Sequence, residues 1–231
     1  ARLGAPVRLH SRVGVDQMGQ FVDKMLAREG VDTSSCERAG DQNVTVSLPF
    51  DGDRAMTTRG TTVLPRLGGD APACLLADVR GISANSEIVS SWRERGTWVL
   101  ADTAWDEAGA WDEADLESLR LADVCTPNEE EALAYARTES VEDAARWFAS
   151  FGCDCVVTCG KNGVIACIDG QILRVPAPAV NAVDTTGAGD VFSAALAWAL
   201  RARLACAAAA HSTQGIGGSS SAPYVADLPG A

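Results

Sequence analysis

Positive charge is scarce in this sequence. Lysine and arginine number 19 against 31 aspartates and glutamates, a formal net charge of −12. A chain this acidic is not expected to take nucleic acid or an anionic membrane as its main partner. A phosphate ligand stays open, because backbone N–H groups at a helix start hold anions without net positive charge. Long apolar runs are lacking too. The stretch from Val191 to Leu200 is amphipathic and falls short of the roughly 20 residues of a membrane span. The opening Ala1-Arg2-Leu3-Gly4 does not read as a signal peptide. Histidine occurs only twice, and His211 has no metal or triad partner in view, so it reads as structural or surface. The paired knuckles of a zinc site are absent. The cysteines at 36, 74, 125, 153, 155, 159, 167 and 206 therefore read as reduced thiols, small and buried on neighbouring strands, in a cytoplasmic setting.

What is present is enough for a good-sized core: 231 residues, 47% of them hydrophobic. Met18, Phe21, Val22, Met25 and Leu26 fall at helical spacing, and Gly30 follows as a C-terminal cap. The segments Val44 to Phe50 and Ala55 to Val63 are strand-like, with turn chemistry at Asp51-Gly52 between them, so a β-hairpin is expected. From about residue 72, strand and helix candidates alternate. Thr97–Ala101, Asp123–Thr126 and Cys155–Thr158 read as strands. Asp115–Leu121, Glu129–Ala136 and Val141–Phe151 read as helices. Val164–Ile168 and Gln171–Val175 read as a second hairpin about Asp169-Gly170. Ala188 to Leu200 carries a helical stripe, and an alanine-rich helix runs from about Arg203 to Gln214. The alternation predicts an α/β fold with helices on the faces of a sheet.

The segment richest in chemistry is Asp184-Thr-Thr-Gly-Ala-Gly-Asp190, which opens the striped helix. It is a helix N-terminus of small residues, where the N–H groups of Gly187, Ala188 and Gly189 can approach an anion. Asp190 beside them suits phosphoryl transfer, which needs a base for the attacking hydroxyl and donors for the transferred group. The plainer reading is a turn with a capping aspartate. The dinucleotide pattern G-x-G-x-x-G fails, since Phe192 takes the last glycine position, and no G-x4-G-K-[ST] exists in the chain.

Asp184 to Asp190 followed by Val-Phe resembles the C-terminal signature of ribokinase-like (PfkB) sugar kinases. That resemblance implies a doubly wound α/β fold with a small β lid. It implies Asp190 as catalytic base, Gly187, Ala188 and Gly189 as anion hole, and Asp184 and Thr186 at a monovalent cation such as K+. Thr126-Pro-Asn-Glu-Glu-Glu131 resembles the family's N-x-x-E motif, which implies that Asn128 and Glu131 support Mg2+ through water. Against this, Thr126 and Glu129 have the form of a capping box, with Pro127 suited to the first helical position. Val157 to Gly163 resembles the T-x-G-x-x-G segment along the nucleotide, matched by Thr158, Gly160 and Gly163; by itself it is an ordinary glycine turn, with Lys161 a solvated charge. Cys206 stands either against the adenine, as the resemblance implies, or in the core. Gly217 to Ser221 would close the adenine and cation sites.

Val13-Gly-Val-Asp-Gln-Met-Gly19 resembles the family's G-x-D-x-x-G segment, so Gly14, Asp16 and Gly19 are expected at a structural hinge. The hairpin about Asp51-Gly52 then becomes the lid, with lid strands around 7–14 and 44–64. The resemblance implies that these strands cover the sugar, and such lids often pair two subunits into a homodimer. Arg59 on the lid either reaches substrate or is an exposed strand charge.

Residues 1–231 are expected to form a single kinase domain that lacks the family's opening strand and its Gly-Gly-x-x-x-Asn segment. The stretches Asp70–Ser90 and Ala199–Ala205 look short beside the family pattern, and Ala104 stands where many relatives have Asn. The expected activity is transfer from Mg·ATP to a hydroxyl of a sugar or sugar acid. The rivals are a nucleoside kinase of the same fold and a domain that senses a sugar or nucleotide without turnover.

Overall fold

A computed structural model describes residues 1–50, 53–61, 63–106, 108–199 and 202–228. The chain divides into two compact units, one essentially Leu3–Gly68 and the other Gly69 onward.

In the first unit, β1 (Val7–Arg8) pairs in parallel with β3 (Val31–Asp32), and β2 (Arg12–Val13) with β4 (Glu37–Arg38). Helix α1 (Gln17–Arg28) begins at Asp16, whose carboxylate accepts the Gly19 N–H at 2.9 Å and the Gln42 N–H at 3.2 Å. A Cβ on Gly19 would strike the Gly14 carbonyl, and one on Gly14 would strike the Gln42 backbone. The G-x-D-x-x-G spacing is thus explained by backbone contact and one cap. Gly30 takes φ +74° just past the helix, as a C-terminal glycine should. The apolar stripe of α1 stays largely outside: Phe21 is 57% exposed and Met18 45%. The expected hairpin forms as β5 (Val44–Phe50) and β6 (Asp53–Arg59), antiparallel, with Val44 opposite Arg59. Its turn at 51–52 lies outside the described residues. Arg59 is exposed and ion-paired to Asp41 at 2.5 Å.

The second unit is built on six strands in the order β12-β11-β10-β9-β8-β7. These are β7 (Cys74–Asp78), β8 (Trp98–Asp102), β9 (Val124–Cys125), β10 (Asp154–Thr158), β11 (Val164–Ile168) and β12 (Gln171–Val175). The first four run parallel, β11 is antiparallel to β10, and β12 is antiparallel to β11. Helices α2 (Val79–Ala84), α3 (Ser86–Glu94), α4 (Glu129–Ala136) and α5 (Val141–Ala149) and a 3-10 segment (Glu113–Leu121) fill the crossovers. Right-handed crossovers put these on one face. Helices α6 (Ala188–Ala199) and α7 (Ala202–Ser212) pack on β7, β8 and β12. Val99, Leu100 and Ala101 are wholly buried in succession, which requires cover on both faces of the sheet.

Residues 70–90 hold a full strand and two short helices that periodicity did not reveal. Among the described residues the strand is an edge with exposed Leu76, and the first helix is six residues long with Gly81 inside it. The junction at 200–201 lies outside the described residues. All eight cysteines are free thiols. Strand register sets Cys125 beside Cys155 and Cys155 beside Cys167, all buried, as expected of small residues filling a sheet.

Candidate functional site

Four parallel strands end together, and ligands of open α/β sheets bind at such carboxyl ends. Asp102 closes β8, Thr126 follows β9, and Thr158 closes β10. Thr158 donates its N–H to the Pro127 carbonyl at 2.9 Å, and Asn128 bridges to Thr158, so these two lie side by side.

Helix α4 starts one residue past Asn128. The Asn128 side chain accepts the Glu131 N–H at 2.9 Å, and Glu131 Oε2 accepts the Asn128 N–H at 3.1 Å. This reciprocal pair is the capping box. The expectation that Thr126 and Glu129 form it is corrected. Thr126 still belongs to the strand: its N–H bonds the Ala101 carbonyl at 3.0 Å, and its hydroxyl meets Ser193 of α6 at 3.1 Å. Local capping chemistry therefore uses the two residues expected to support magnesium. Glu131 is buried and also accepts the Thr103 hydroxyl at 2.7 Å, again on Oε2.

Asp190 sits in the first turn of α6. Gly187 takes φ +74° just before that helix, and Ala188 N–H closes a turn on the Thr185 carbonyl at 3.2 Å. Of the three amides expected to face an anion, that one is engaged. Asp190 keeps access to solvent, yet the protein around it withdraws enough water to raise its carboxyl above the ordinary range. Asp102 is pushed up to about 6, first by burial and then by the negative charges of Glu131 and Asp190; the N–H groups of Thr103 and Ala104 partly offset this. Three carboxylates therefore share one field at the strand ends. Among the described residues, no three His, Cys, Asp or Glu side chains form a group that could hold a metal ion directly.

The remaining expected residues lie on three further segments. Asp184 ties its own segment to the Gly217 loop, accepting the Thr186 N–H at 2.9 Å and the Gly217 N–H at 3.1 Å. Gly160 (φ +53°) and Gly163 (φ +90°) make the turn after β10. Gly163 lies so close to the end of β12 that a Cβ would enter the Val175 carbonyl. Cys206 is buried on α7, and burial pushes its thiol up to about 11. Asp102 and Thr103 were not singled out from sequence. The available signal was an acid closing a buried strand. The next residue, Ala104, is left-handed at φ +60°, a conformation in which Asn is less strained than Ala.

A family profile described as pfkB family carbohydrate kinase matches residues 83–224. A fructokinase of Klebsiella pneumoniae is 34% identical over 221 residues, 85% of this chain and 71% of that protein. An aminoimidazole riboside kinase of Salmonella typhimurium is 28% identical over 225 residues, 87% of this chain and 70% of that protein. The structure of an Arabidopsis thaliana ribokinase complexed with ribose and ATP superposes with a TM-score of 0.83 at 24% identity, covering 98% of this chain and 81% of that one; it attests the fold.

Proposed function

The chain belongs to the pfkB family of carbohydrate kinases, and from that premise we propose that it moves the γ-phosphate of ATP to a hydroxyl of a sugar or sugar acid, with Asp190 as the base. The observation that carries this reading is the placement of Asp190: first turn of α6, behind the left-handed Gly187, its carboxyl raised by partial burial. A raised carboxylate is a better proton acceptor than an ordinary one. Asp190 takes the acceptor's proton as the hydroxyl attacks. The N–H groups of Gly187, Ala188 and Gly189 donate to the oxygens of the transferred group, Ala188 after releasing its turn.

Glu131 fits a water-mediated role toward magnesium. Both of its side-chain bonds fall on Oε2, which leaves Oε1 to a hydrated ion. Asn128 commits its oxygen to the cap and so positions Glu131. Magnesium, when bound, neutralises charge on the phosphates. Thr158, Gly160 and Gly163 run along the nucleotide, and Cys206 borders the base. Asp184 and Thr186 hold a monovalent cation, potassium in this reading, on the loop pair that Asp184 joins. Exposed Val46, Leu48 and Met56 on the β5–β6 hairpin are the surface proposed to pair two copies.

A nucleoside acceptor is the second reading, favoured by the similarity to an aminoimidazole riboside kinase. The test is ATP consumption across pentoses, hexoses, sugar acids and nucleosides with magnesium and potassium. One strong sugar substrate supports the first reading. Turnover confined to nucleosides supports the second. Acceptor binding without turnover marks a sensing domain and refutes both. Asp190→Asn is expected to lower kcat by roughly 10²–10⁴ with little change in ATP affinity.

A further inference from the structure

Trp105 is a large aromatic, 47% exposed, three residues past Asp102. Single exposed aromatics are ordinary, but this one is held in place. Ala104 before it has φ +60° and Trp111 after it has φ +50°, both left-handed without the freedom of glycine. The Asp106 carboxylate accepts the Ala108 N–H at 2.9 Å and the Trp111 N–H at 2.8 Å. Arg80 donates to the Trp105 carbonyl at 3.3 Å. The indole stands edge-on to Trp111, ring centroids 5.0 Å apart, and Trp111 stands the same way to Tyr135. Tyr135 in turn meets the fully buried Phe148. The aromatic file thus runs from the core to the surface and fixes an apolar face outward. Strained non-glycine backbone persists where its surroundings over-determine it, and it gathers at ligand sites.

The sheet order says which ligand. Trp105 follows β8, whereas the turn Gly160–Gly163 proposed for the nucleotide follows β10, two strands away. At about 4.8 Å per strand the ends of β8 and β10 lie on the order of 10 Å apart. Asp102, the last residue of the strand that Trp105 follows, feels the charge of Asp190. Trp105 therefore stands on the acceptor's side of the base. We propose that Trp105 contacts the acceptor and sets specificity, taking the apolar C–H face of a ring-form sugar while the carboxylates take its hydroxyls. This rests on the kinase reading for which side is which.

The experiment uses the full chain, with D-fructose, D-ribose and adenosine as probes, in wild type, Trp105→Ala and Trp105→Phe. Calorimetric binding and steady-state kinetics are both read. The expected result is a rise of about tenfold in the acceptor's Kd and KM in Trp105→Ala, largely recovered in Trp105→Phe, with KM for ATP within about twofold. Acceptor constants within about twofold of wild type in Trp105→Ala overturn the proposal. So does an equal loss of acceptor and ATP affinity, which marks collapse of the loop, and so does a wild-type chain that binds ATP but none of the three acceptors. Acceptor binding that depends on Trp105 without phosphate transfer upholds the contact and refutes the kinase reading instead.

Discussion

Replacing Asp102 by Asn should make the protein more stable at neutral pH. The carboxyl of Asp102 is raised from 3.8 to about 6 by burial and by the charges of Glu131 and Asp190. A group whose folded pKa is raised binds more protons folded than unfolded between those two values, so stability falls as pH climbs from 3.8 through about 6. Above that window the ionised form costs the native state about 3 kcal/mol, reduced to roughly 2 kcal/mol by residual solvent access. Asn keeps an oxygen for the Thr103 and Ala104 N–H groups and carries no charge. For a chain of this size about 2 kcal/mol corresponds to roughly 4–8 °C in Tm. Thermal melts of wild type and Asp102→Asn at pH 7.5 and pH 4 are the assay. The variant should melt higher at pH 7.5, and the gain should shrink to a small fraction of that at pH 4. An equal or lower Tm at pH 7.5, or a gain that ignores pH, would refute the electrostatic account. A charge kept at such a cost is a hallmark of function over stability.

The acid limb of log kcat/KM should lie above 3.8, with activity lost as pH falls and Asp190 takes up its proton, because burial raises that carboxyl; a limb at or below 3.8 in the pH–rate profile would refute the assignment. Asn128→Ala should cost about 1 kcal/mol in urea denaturation by removing the α4 cap, and Asn128→Ser should restore most of it. Gly163→Ala should destabilise by more than about 2 kcal/mol, since φ +90° and the Val175 carbonyl both oppose a side chain. Gly160→Ala, at φ +53° with open space around it, should cost only about 1 kcal/mol; equal losses for the two glycines would remove close packing as the cause.

Local chemistry is legible in the sequence wherever a short segment decides its own structure. The hairpin about Asp169-Gly170 needs only its turn, and α6 needs only its small-residue start and apolar stripe. The strand Trp98–Asp102 announces itself by a continuous apolar run. Capping at α4 shows where that legibility stops. Thr126-x-x-Glu129 and Asn128-x-x-Glu131 fit the same motif two residues apart. The choice was made by β8, which takes the Thr126 N–H at the Ala101 carbonyl and holds that residue in the sheet. The strand Cys74–Asp78 is not legible in the sequence, because an edge strand with an exposed Leu76 presents neither clean alternation nor a fully apolar run.

The family, the helix that carries Asp190 and the alternation that builds the sheet are all readable from residue order, because each rests on spacing within a few residues. The meeting of Asp102, Glu131 and Asp190 in one field, and the strained loop that holds Trp105 partly exposed just past Asp102, come from the tertiary structure. Those residues come from three separate elements, and their encounter depends on strand order and on the seating of α6 against Thr126, which no local pattern encodes.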